Sequence, residues 1–361
     1  MNKKTLNLIC PINSQGYGIS AYNIWKHLRS NADICLFPIG QVEVESHWDK
    51  DGLIEDIQDQ LKYSPESPCL KIWHASDLVL KPHSHGPYCT YTFFEVDTIA
   101  KSEKVGYNIS DTIITPTNWS KNILQNNGID GNKIFVANPG VDTDIFDHNI
   151  EMSDEDKSDN YVFLNIGKWE IRKGHDVLVH MFNKAFEPDD KVELWMVNNN
   201  PFLSQKENKQ WENIYKNSKL GDKIKIFPRL PSQKSIAKMI ALSDCGIYPS
   251  RAEGWNNEGL ETMAMNKPVI LTNYSAHTDY ANTENSFLID IHNFEEAQDG
   301  IFFKGNGQWA KLDINVIDQA AEHMRYVYKN NIKTNESGLK KALELSWNNT
   351  ASNMENIIWT T

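Results

Sequence analysis

The chain has 361 residues, and at roughly 100 to 200 residues per domain this length predicts two domains. Hydrophobic residues make up 40% and charged residues 23% of the chain, a composition that supplies packed cores and excludes a disordered protein. The net charge of −12 divides evenly, with 12 basic against 18 acidic residues in 1–150 and 24 against 30 in the remainder, which weakens a general nucleic-acid binder without excluding a local basic groove.

Short apolar segments alternate with amphipathic segments along the first half of the chain. The predicted strands are residues 6–10, 34–37, 70–73, 88–93, 112–115 and 134–136. Between the first two strands, Ile19, Tyr22, Trp25 and Leu28 recur every three residues and share one face of a predicted helix. This alternation predicts a doubly wound, parallel α/β sheet, and we expect it to form an N-terminal domain over residues 1–150.

An acidic segment, residues 147–160, interrupts the alternation and is interpreted as an interdomain linker. Predicted strands then resume at residues 161–165, 192–197, 224–227, 245–248, 269–271 and 287–289. They predict a second α/β domain over residues 160–340, followed by a C-terminal helix in 341–361 that we expect to cross back to the first domain. Open α/β sheets bind ligands at the carboxyl ends of their strands, so the chemistry is expected there, in an interdomain crevice.

The cysteine pattern and the apolar runs indicate a compartment. Five cysteines are widely spaced and form no C-x-x-C pair, which favours reduced thiols in the cytoplasm. The apolar stretch at the N-terminus ends at Pro11, too early for a signal peptide. Because no apolar run reaches 18 residues, no membrane span is predicted.

The strongest functional signal lies in residues 248–280. A predicted strand ends at Tyr248, a loop rich in Gly and Asn follows, and a helix begins near Glu258, so that Glu253 and Glu261 bracket a strand-to-helix turn. Such a turn directs backbone N–H groups and the positive end of the helix dipole toward a bound anion. Carboxylates beside an anion site are explained if they accept hydrogen bonds from ligand hydroxyls. A sugar-bearing nucleotide supplies both the phosphates and the hydroxyls.

These residues resemble the retaining, family 4 glycosyltransferases (glycosyl transferases group 1) of GT-B fold, whose hallmark is two glutamates separated by seven residues. Glu253 and Glu261 have this spacing, between P-S-R-A-E-G and L-E-T-M-A. Residues 167–174, G-K-W-E-I-R-K-G, are similar to the family's basic loop, and residues 16–18, G-Y-G, to its N-terminal glycine loop. Residues 111–128 and 138–146 are similar to the end of its first domain. Together these stretches cover most of the chain and leave 40–68 and 198–218 unassigned.

The resemblance implies two Rossmann-like domains and the transfer of a sugar from a nucleoside-diphosphate sugar, with retention of anomeric configuration and without a metal or other cofactor. The first domain would bind the acceptor and the second the donor. Glu261 would bind the ribose and Glu253 the transferred sugar, and the basic loop would neutralise the diphosphate. The implied donor-binding positions are Glu261, Gly254, Trp255, Asn256, Asn257, Glu258, Lys168, Arg229, Leu230, Gly16 and Gly18.

Two departures from the family concern the sugar. Asn256, Asn257 and Glu258 stand where many members have Gly-Leu-Pro, which leaves the donor sugar open. Glu95, after the fourth predicted strand, stands where many members have a His, and a carboxylate there could stabilise an oxocarbenium-like transition state. The candidate catalytic residues are therefore Glu253, Lys173, Arg172 and Glu95.

The acceptor stays open among glycans, lipid-linked molecules and small molecules. Asp142 and Asp144 imitate the D-x-D metal motif of the other large glycosyltransferase fold, but they follow N-P-G and indicate a turn, so no metal site is predicted. Two alternative functions also stay open. A phage-type glycosyltransferase acting on modified DNA bases would need a basic channel, and a catalytically silent subunit would bind the nucleotide sugar without turnover.

Overall fold

A computed structural model describes residues 4–80 and 84–360. The chain divides into two compact units. The first unit is Met1–Gly140 with Leu345–Thr361, and the second unit is Val141–Glu344.

The first unit contains one sheet in which every neighbouring pair of strands is parallel. Its strand order is β2-β1-β3-β4-β5-β6. The strands are β1 Lys4–Cys10, β2 Ala32–Pro38, β3 Cys69–Ile72, β4 Tyr88–Tyr91, β5 Thr112–Thr115 and β6 Ile134–Val136. The helices between them are α1 Gly16–Leu28, α2 Lys50–Gln58, α3 Lys101–Ile109 and α4 Asn118–Asn126.

The second unit repeats this architecture with a parallel sheet of order β12-β11-β10-β7-β8-β9. Its strands are β7 Tyr161–Gly167, β8 Val192–Asn198, β9 Ile224–Phe227, β10 Cys245–Tyr248, β11 Val269–Thr272 and β12 Phe287–Ile289. Its helices are α5 His175–Ala185, α6 Gln205–Lys216, α7 Gln233–Leu242, α8 Asn257–Ala264, α9 Ile314–Lys329 and α10 Glu336–Glu344. The prediction of two doubly wound parallel sheets is confirmed.

The strand orders identify the topological switch point of each sheet, where the chain stops adding strands on one side and begins to add them on the other. In the first sheet the chain adds strands on one side of β1 and then on the other, so the switch lies between β1 and β3. In the second sheet the switch lies between β7 and β10. Because ligands of open parallel sheets bind where the loops of two such strands separate, these four loops are the first places to look for a site.

One element and one boundary differ from the sequence interpretation. β13 Phe294–Gln298 and β14 Lys304–Ala310 form an antiparallel hairpin that was not predicted, because β14, K-G-N-G-Q-W-A, buries only Trp309 and Ala310 and carries no apolar alternation. Residues 147–160 lie inside the second unit and include a short 3₁₀ turn at Asp154–Asp156. The boundary between the units falls after Gly140, before the predicted position at 150.

The last helix, α11 Trp347–Thr360, packs on the first unit. Met354 and Ile358 are buried in the same core as Trp25 of α1. The hydroxyl of Thr350 donates a hydrogen bond of 2.7 Å to the carbonyl oxygen of Asn138. The chain thus returns to the first unit after it completes the second.

Two further observations concern the compartment. All five cysteine side chains are buried. No helix within residues 4–80 and 84–360 is both long enough and apolar enough to cross a membrane.

The packing of the last helix on the first unit predicts a position at which one added methyl group lowers the stability of the protein. A Cβ atom on Gly140 would lie 2.2 Å from the backbone carbon of Ser346 and 2.2 Å from the nitrogen of Trp347. Gly140→Ala should therefore lower the free energy of unfolding by about 1–3 kcal/mol, the usual cost of overpacking, as measured by denaturant unfolding. Gly16→Ala is the control, since nothing lies within 4 Å of its Cβ position. Equal stability of the two variants would contradict the close contact.

Candidate active site

A buried cluster of charges occupies the switch point of the second sheet. Glu253, in the loop after β10, accepts hydrogen bonds from Arg172 Nη1 at 2.6 Å and from Lys173 Nζ at 3.1 Å, both in the loop after β7. The hydroxyl of Ser250 donates a third bond to this carboxylate at 2.7 Å. All three charged side chains are at least nine-tenths buried. Glu258 lies 3.7 Å from Lys173. Four predicted residues, Arg172, Lys173, Glu253 and Glu258, therefore lie together here.

Backbone contacts bring the two loops together. The N–H of Arg251 donates to the carbonyl of Arg172 at 2.7 Å. Gly174 has φ 76°, and a Cβ atom there would lie 2.2 Å from the carbonyl oxygen of Pro249. A residue with a side chain would be strained by this conformation and would also clash. The second glycine of G-K-W-E-I-R-K-G is therefore required by the approach of the two loops.

Arg251 connects these loops to two further elements, and the sequence interpretation did not identify it. Its guanidinium donates to both carboxylate oxygens of Asp176 at 2.7 and 2.9 Å, and to Glu295 on β13 at 2.8 Å. It also donates to the carbonyl of Ile171. Bidentate pairs of this kind are strong and directional. The only sequence signal for Arg251 is its position in P-S-R-A-E-G, beside Glu253.

The cluster is electrostatically coupled. Burial by itself would raise the pKa of Glu253, but the adjacent charges of Arg172 and Lys173 hold this pKa well below its usual range. Burial would likewise lower the pKa of Lys173, and the charge of Glu253 raises it instead. All three groups are therefore charged at neutral pH.

Lys168 joins the same cluster through Glu170. Glu170 lies 2.8 Å from Arg172 and 3.1 Å from Lys168, and Lys168 is the most exposed of the cations, with 39% of its side chain accessible. The predicted basic loop thus presents three cations, and the carboxylates of Glu170, Glu253 and Glu258 balance them. A bound diphosphate would have to replace carboxylate contacts with its own oxygens.

The loop between β10 and α8 is rigid. Asn256 has φ 76°, and its side chain accepts a hydrogen bond from the N–H of Gly259 at 3.1 Å, which caps α8. Its amide nitrogen donates to His277 Nε2 at 2.8 Å. Gly254 and Trp255 precede it and are both buried. The asparagine that departs from the family pattern is therefore a structural part of this loop.

His277 and Ser275 support the loop from the segment after β11, and neither was singled out from the sequence. His277 Nδ1 donates to the carbonyl of Thr272 at 2.8 Å, so Nε2 accepts and the ring is neutral. Burial lowers the pKa of His277 to about 4 against the opposing charge of Glu253. The N–H of Glu253 donates to the hydroxyl of Ser275 at 2.8 Å.

A second neutral histidine supports the basic loop. His175, the first residue of α5, is fully buried, and its Nδ1 accepts the N–H of Glu170 at 3.1 Å. Its Nε2 lies 3.0 Å from the side-chain oxygen of Asn165. Burial and the charge of Lys173 lower the pKa of His175 to about 3. The ring therefore stays neutral and holds the loop at Glu170.

The other predicted residues lie in three places. Glu261 is buried on α8, on the same helical face as Glu258. Asn257 begins α8, while Arg229 and Leu230 follow β9, two strands from β7. Gly16, Gly18 and Glu95 lie in the first unit, after β1 and β4. A Cβ atom on Gly18 would lie 2.2 Å from the carbonyl oxygen of Asn13, so the loop after β1 passes too close to the first turn of α1 for any other residue here.

Comparison with known proteins finds similarity to one family in part of the second unit. Residues 147–303 match the model of the family described as glycosyl transferases group 1. A processive diacylglycerol alpha-glucosyltransferase of Acholeplasma laidlawii is 26% identical over 196 residues, 52% of this chain and 56% of that protein. The chain matches about half the length of this curated relative.

Solved structures share the whole fold. A glycosyltransferase from Rickettsia africae superposes with a TM-score of 0.75 at 20% identity over 100% of both chains. Anabaena HepE in complex with UDP and glucose superposes with a TM-score of 0.73 at 15% identity, again over 100% of both chains. The chain therefore has the GT-B fold.

The buried cluster predicts a pH-dependent contribution to stability. Glu253→Gln leaves two buried cations without their partner and should lower the free energy of unfolding at pH 7 by about 3–5 kcal/mol. Because the folded-state pKa of Glu253 is depressed, its contribution is complete above the ordinary value of 4.5 and is lost as the pH falls below it. The difference between wild type and variant should therefore stay constant from pH 7 to about pH 5 and shrink progressively as the pH falls from 4.5 toward 3 in denaturant unfolding.

Glu258→Gln is the matched control for this prediction. Its carboxylate faces the same Lys173 at 3.7 Å, but 24% of its side chain is exposed. The change should cost less than about 1 kcal/mol. If both variants were equally stable at every pH, the pairing of Glu253 would contribute nothing.

Proposed function

We propose that this protein transfers a sugar from a nucleoside-diphosphate sugar to an acceptor hydroxyl, a proposal that the match of residues 147–303 to the glycosyl transferases group 1 model supports. One observation carries the proposal: Arg172 and Lys173 converge on the buried Glu253 at the switch point of the second sheet. Cations and a hydroxyl-accepting carboxylate in one place match a ligand that has both phosphates and sugar hydroxyls.

The cations stabilise the negative charge of the leaving group. A departing nucleoside diphosphate gains negative charge as the glycosidic bond breaks, and hydrogen bonds to charged groups contribute about 1.5–3 kcal/mol each. Arg172 and Lys173 donate to this charge, and the more exposed Lys168 meets the diphosphate as it enters. Glu253 then exchanges part of its cation contacts for a hydroxyl of the transferred sugar.

The remaining donor contacts follow the α8 segment. Glu261 binds the ribose hydroxyls, and the backbone from Gly254 through Trp255 to Glu258 binds the sugar and phosphates. Arg229 and Leu230 contact the base. Since Anabaena HepE is described with UDP and glucose bound, we propose a UDP-hexose as the donor.

The transfer is proposed to retain the anomeric configuration, on the resemblance to retaining glycosyltransferases alone. It is proposed to need no metal, because the cations Arg172, Lys173 and Lys168 supply the positive charge. Glu95, at the carboxyl end of β4, is proposed to stabilise positive charge on the sugar in the transition state. The first unit binds the acceptor. We also propose a cytoplasmic location, which the five buried cysteines support.

Donor binding is tested by thermal denaturation with UDP-, GDP-, ADP- and TDP-sugars, with and without EDTA. At 100 times its dissociation constant a donor should stabilise the protein by about 2.7 kcal/mol. We expect a shift for UDP-sugars that EDTA does not change and that Glu261→Ala weakens. Glu322→Ala, an exposed glutamate on α9, is the control and should leave the shift intact. No shift with any nucleotide sugar would refute the donor assignment.

Configuration and the role of Glu95 are tested in one turnover assay. Proton NMR of the first product should show the anomer of the donor, and an inverted product would overturn the proposed retention. Glu95→Gln should lower kcat about a hundredfold, the lower end of the losses measured when one electrostatic stabiliser is removed, with an unchanged donor shift. Full turnover by this variant would remove Glu95 from the mechanism, and donor binding without any turnover by wild type would favour a silent subunit.

A further inference from the structure

Four aromatic rings form a wall at the switch point of the first sheet. The ring of Tyr17, in the first turn of α1, lies 5.5 Å from Trp73, 4.7 Å from His74 and 5.0 Å from Phe93, between centroids. Trp73 and His74 directly follow β3, and Phe93 follows β4. None of these side chains is fully buried, and His74 is exposed. The wall therefore offers accessible aromatic surface at the edge proposed for the acceptor.

Hydrogen bonds hold this wall in place. The hydroxyl of Tyr17 accepts the N–H of Phe93 at 2.9 Å and donates to its carbonyl at 3.0 Å. The indole N–H of Trp73 donates to the carboxylate of Asp77 at 2.7 Å. Rings fixed in this way lose little conformational entropy when a ligand packs on them.

The described loop residues at this end of the sheet include carboxylates but no Lys or Arg. The described parts of the segments that follow the six strands are residues 11–15, 39–49, 73–80 with 84–87, 92–100, 116–117 and 137–140, and within them no Lys or Arg occurs. The same segments carry six carboxylates: Glu43, Glu45, Asp49, Asp77, Glu95 and Asp97. Lys81, which comes next in the chain after residues 73–80, lies outside the described residues.

Three of these carboxylates adjoin the wall or its switch-point loops. Asp77 contacts Trp73 directly. Burial raises the pKa of Tyr17, and the charge of Glu95 raises it further, which places Glu95 near this ring. The N–H of Glu43 donates to the carbonyl of Ile12, in the loop after β1, at 2.8 Å.

The buried lysine on β3 does not offset this charge. Lys71 Nζ donates to the carbonyl oxygens of Asp77 at 2.6 Å and Leu80 at 3.2 Å. The side chain is only 5% exposed. Its ammonium is thus engaged by backbone and is closed to an incoming ligand.

We infer that the acceptor bound at this edge is an uncharged saccharide. A sugar ring packs its apolar C–H face on Trp73 and Tyr17, and its hydroxyls donate to carboxylates such as Glu95. An anionic acceptor, whether a phosphorylated or uronic sugar, a phosphate-linked lipid or a nucleic acid, meets like charges and no cation in these segments, which costs affinity. This inference rests on the proposed function, because it concerns the acceptor of the same reaction.

Saturation-transfer NMR with UDP present tests the inference. The probes are cellobiose, maltose and lactose, each compared with its own 6-phosphate and 6-uronate. We expect each neutral disaccharide to bind at least about tenfold more tightly than its anionic counterparts at 20 mM ionic strength. The ratio should fall in 0.5 M NaCl, where the Debye length is only about 4 Å. Trp73→Ala should weaken the binding of all three neutral disaccharides.

A charge reversal supplies the matched pair of variants. Glu43 is exposed beside the switch-point loop, at the carboxyl ends of the strands. Glu66 is exposed before β3, at the amino ends of the strands of the same sheet. Glu43→Lys should reduce the discrimination against anions at least about threefold, whereas Glu66→Lys should leave it unchanged. Both positions are exposed, so both variants should fold.

The outcomes separate this inference from the proposed function. Equal or tighter binding of the anionic disaccharides would overturn it, as would equal effects of Glu43→Lys and Glu66→Lys, or no signal from any neutral disaccharide. Donor binding is read separately from the thermal shift with UDP-glucose in the absence of acceptor. Loss of that shift would refute the proposed function, whereas a normal shift without charge discrimination would refute only the acceptor class.

Discussion

The second unit depends on one buried carboxylate between two buried cations. Removing Glu253, Arg172 and Lys173 from water costs several kcal/mol per ion, and their mutual contacts, with those of Ser250 and Glu170, offset this cost. These contacts bind the loop after β7 to the loop after β10. Arg251 extends the linkage to α5 and to the β13–β14 hairpin. The stability of these loops and the proposed binding of the diphosphate therefore rest on the same ion pairs.

The two units use one architecture with different charge. Both present loops at the switch point of a parallel sheet, the usual ligand position in this architecture. In the second unit these loops carry four cations, Lys168, Arg172, Lys173 and Arg251, paired with carboxylates. In the first unit the described parts of the corresponding segments carry aromatic rings and carboxylates without Lys or Arg. This asymmetry is what the proposed division into a phosphate-bearing donor and an uncharged acceptor requires.

Much of the site could be predicted because its residues are close together in the chain. Glu253 and Glu261 stand within one loop and helix, and Arg172 and Lys173 stand within one loop, so their spacing is visible in the sequence. Arg251 was missed because its partner Asp176 is 75 residues away. His277 and Ser275 were missed because their contacts with Asn256 and Glu253 span more than 20 residues. The hairpin was missed because its strands are polar.

The sequence by itself determined the strands of the two parallel sheets, the helices between them and the frame around the paired glutamates. These follow from local periodicity and spacing, which neighbouring residues set among themselves. Only the tertiary structure decided which loops meet, since strand order places β7 beside β10 although 77 residues separate the end of one from the start of the other, 167 to 245. It also decided the charge states of Glu253, His175 and His277, because burial and partners distant in the chain set their pKa values.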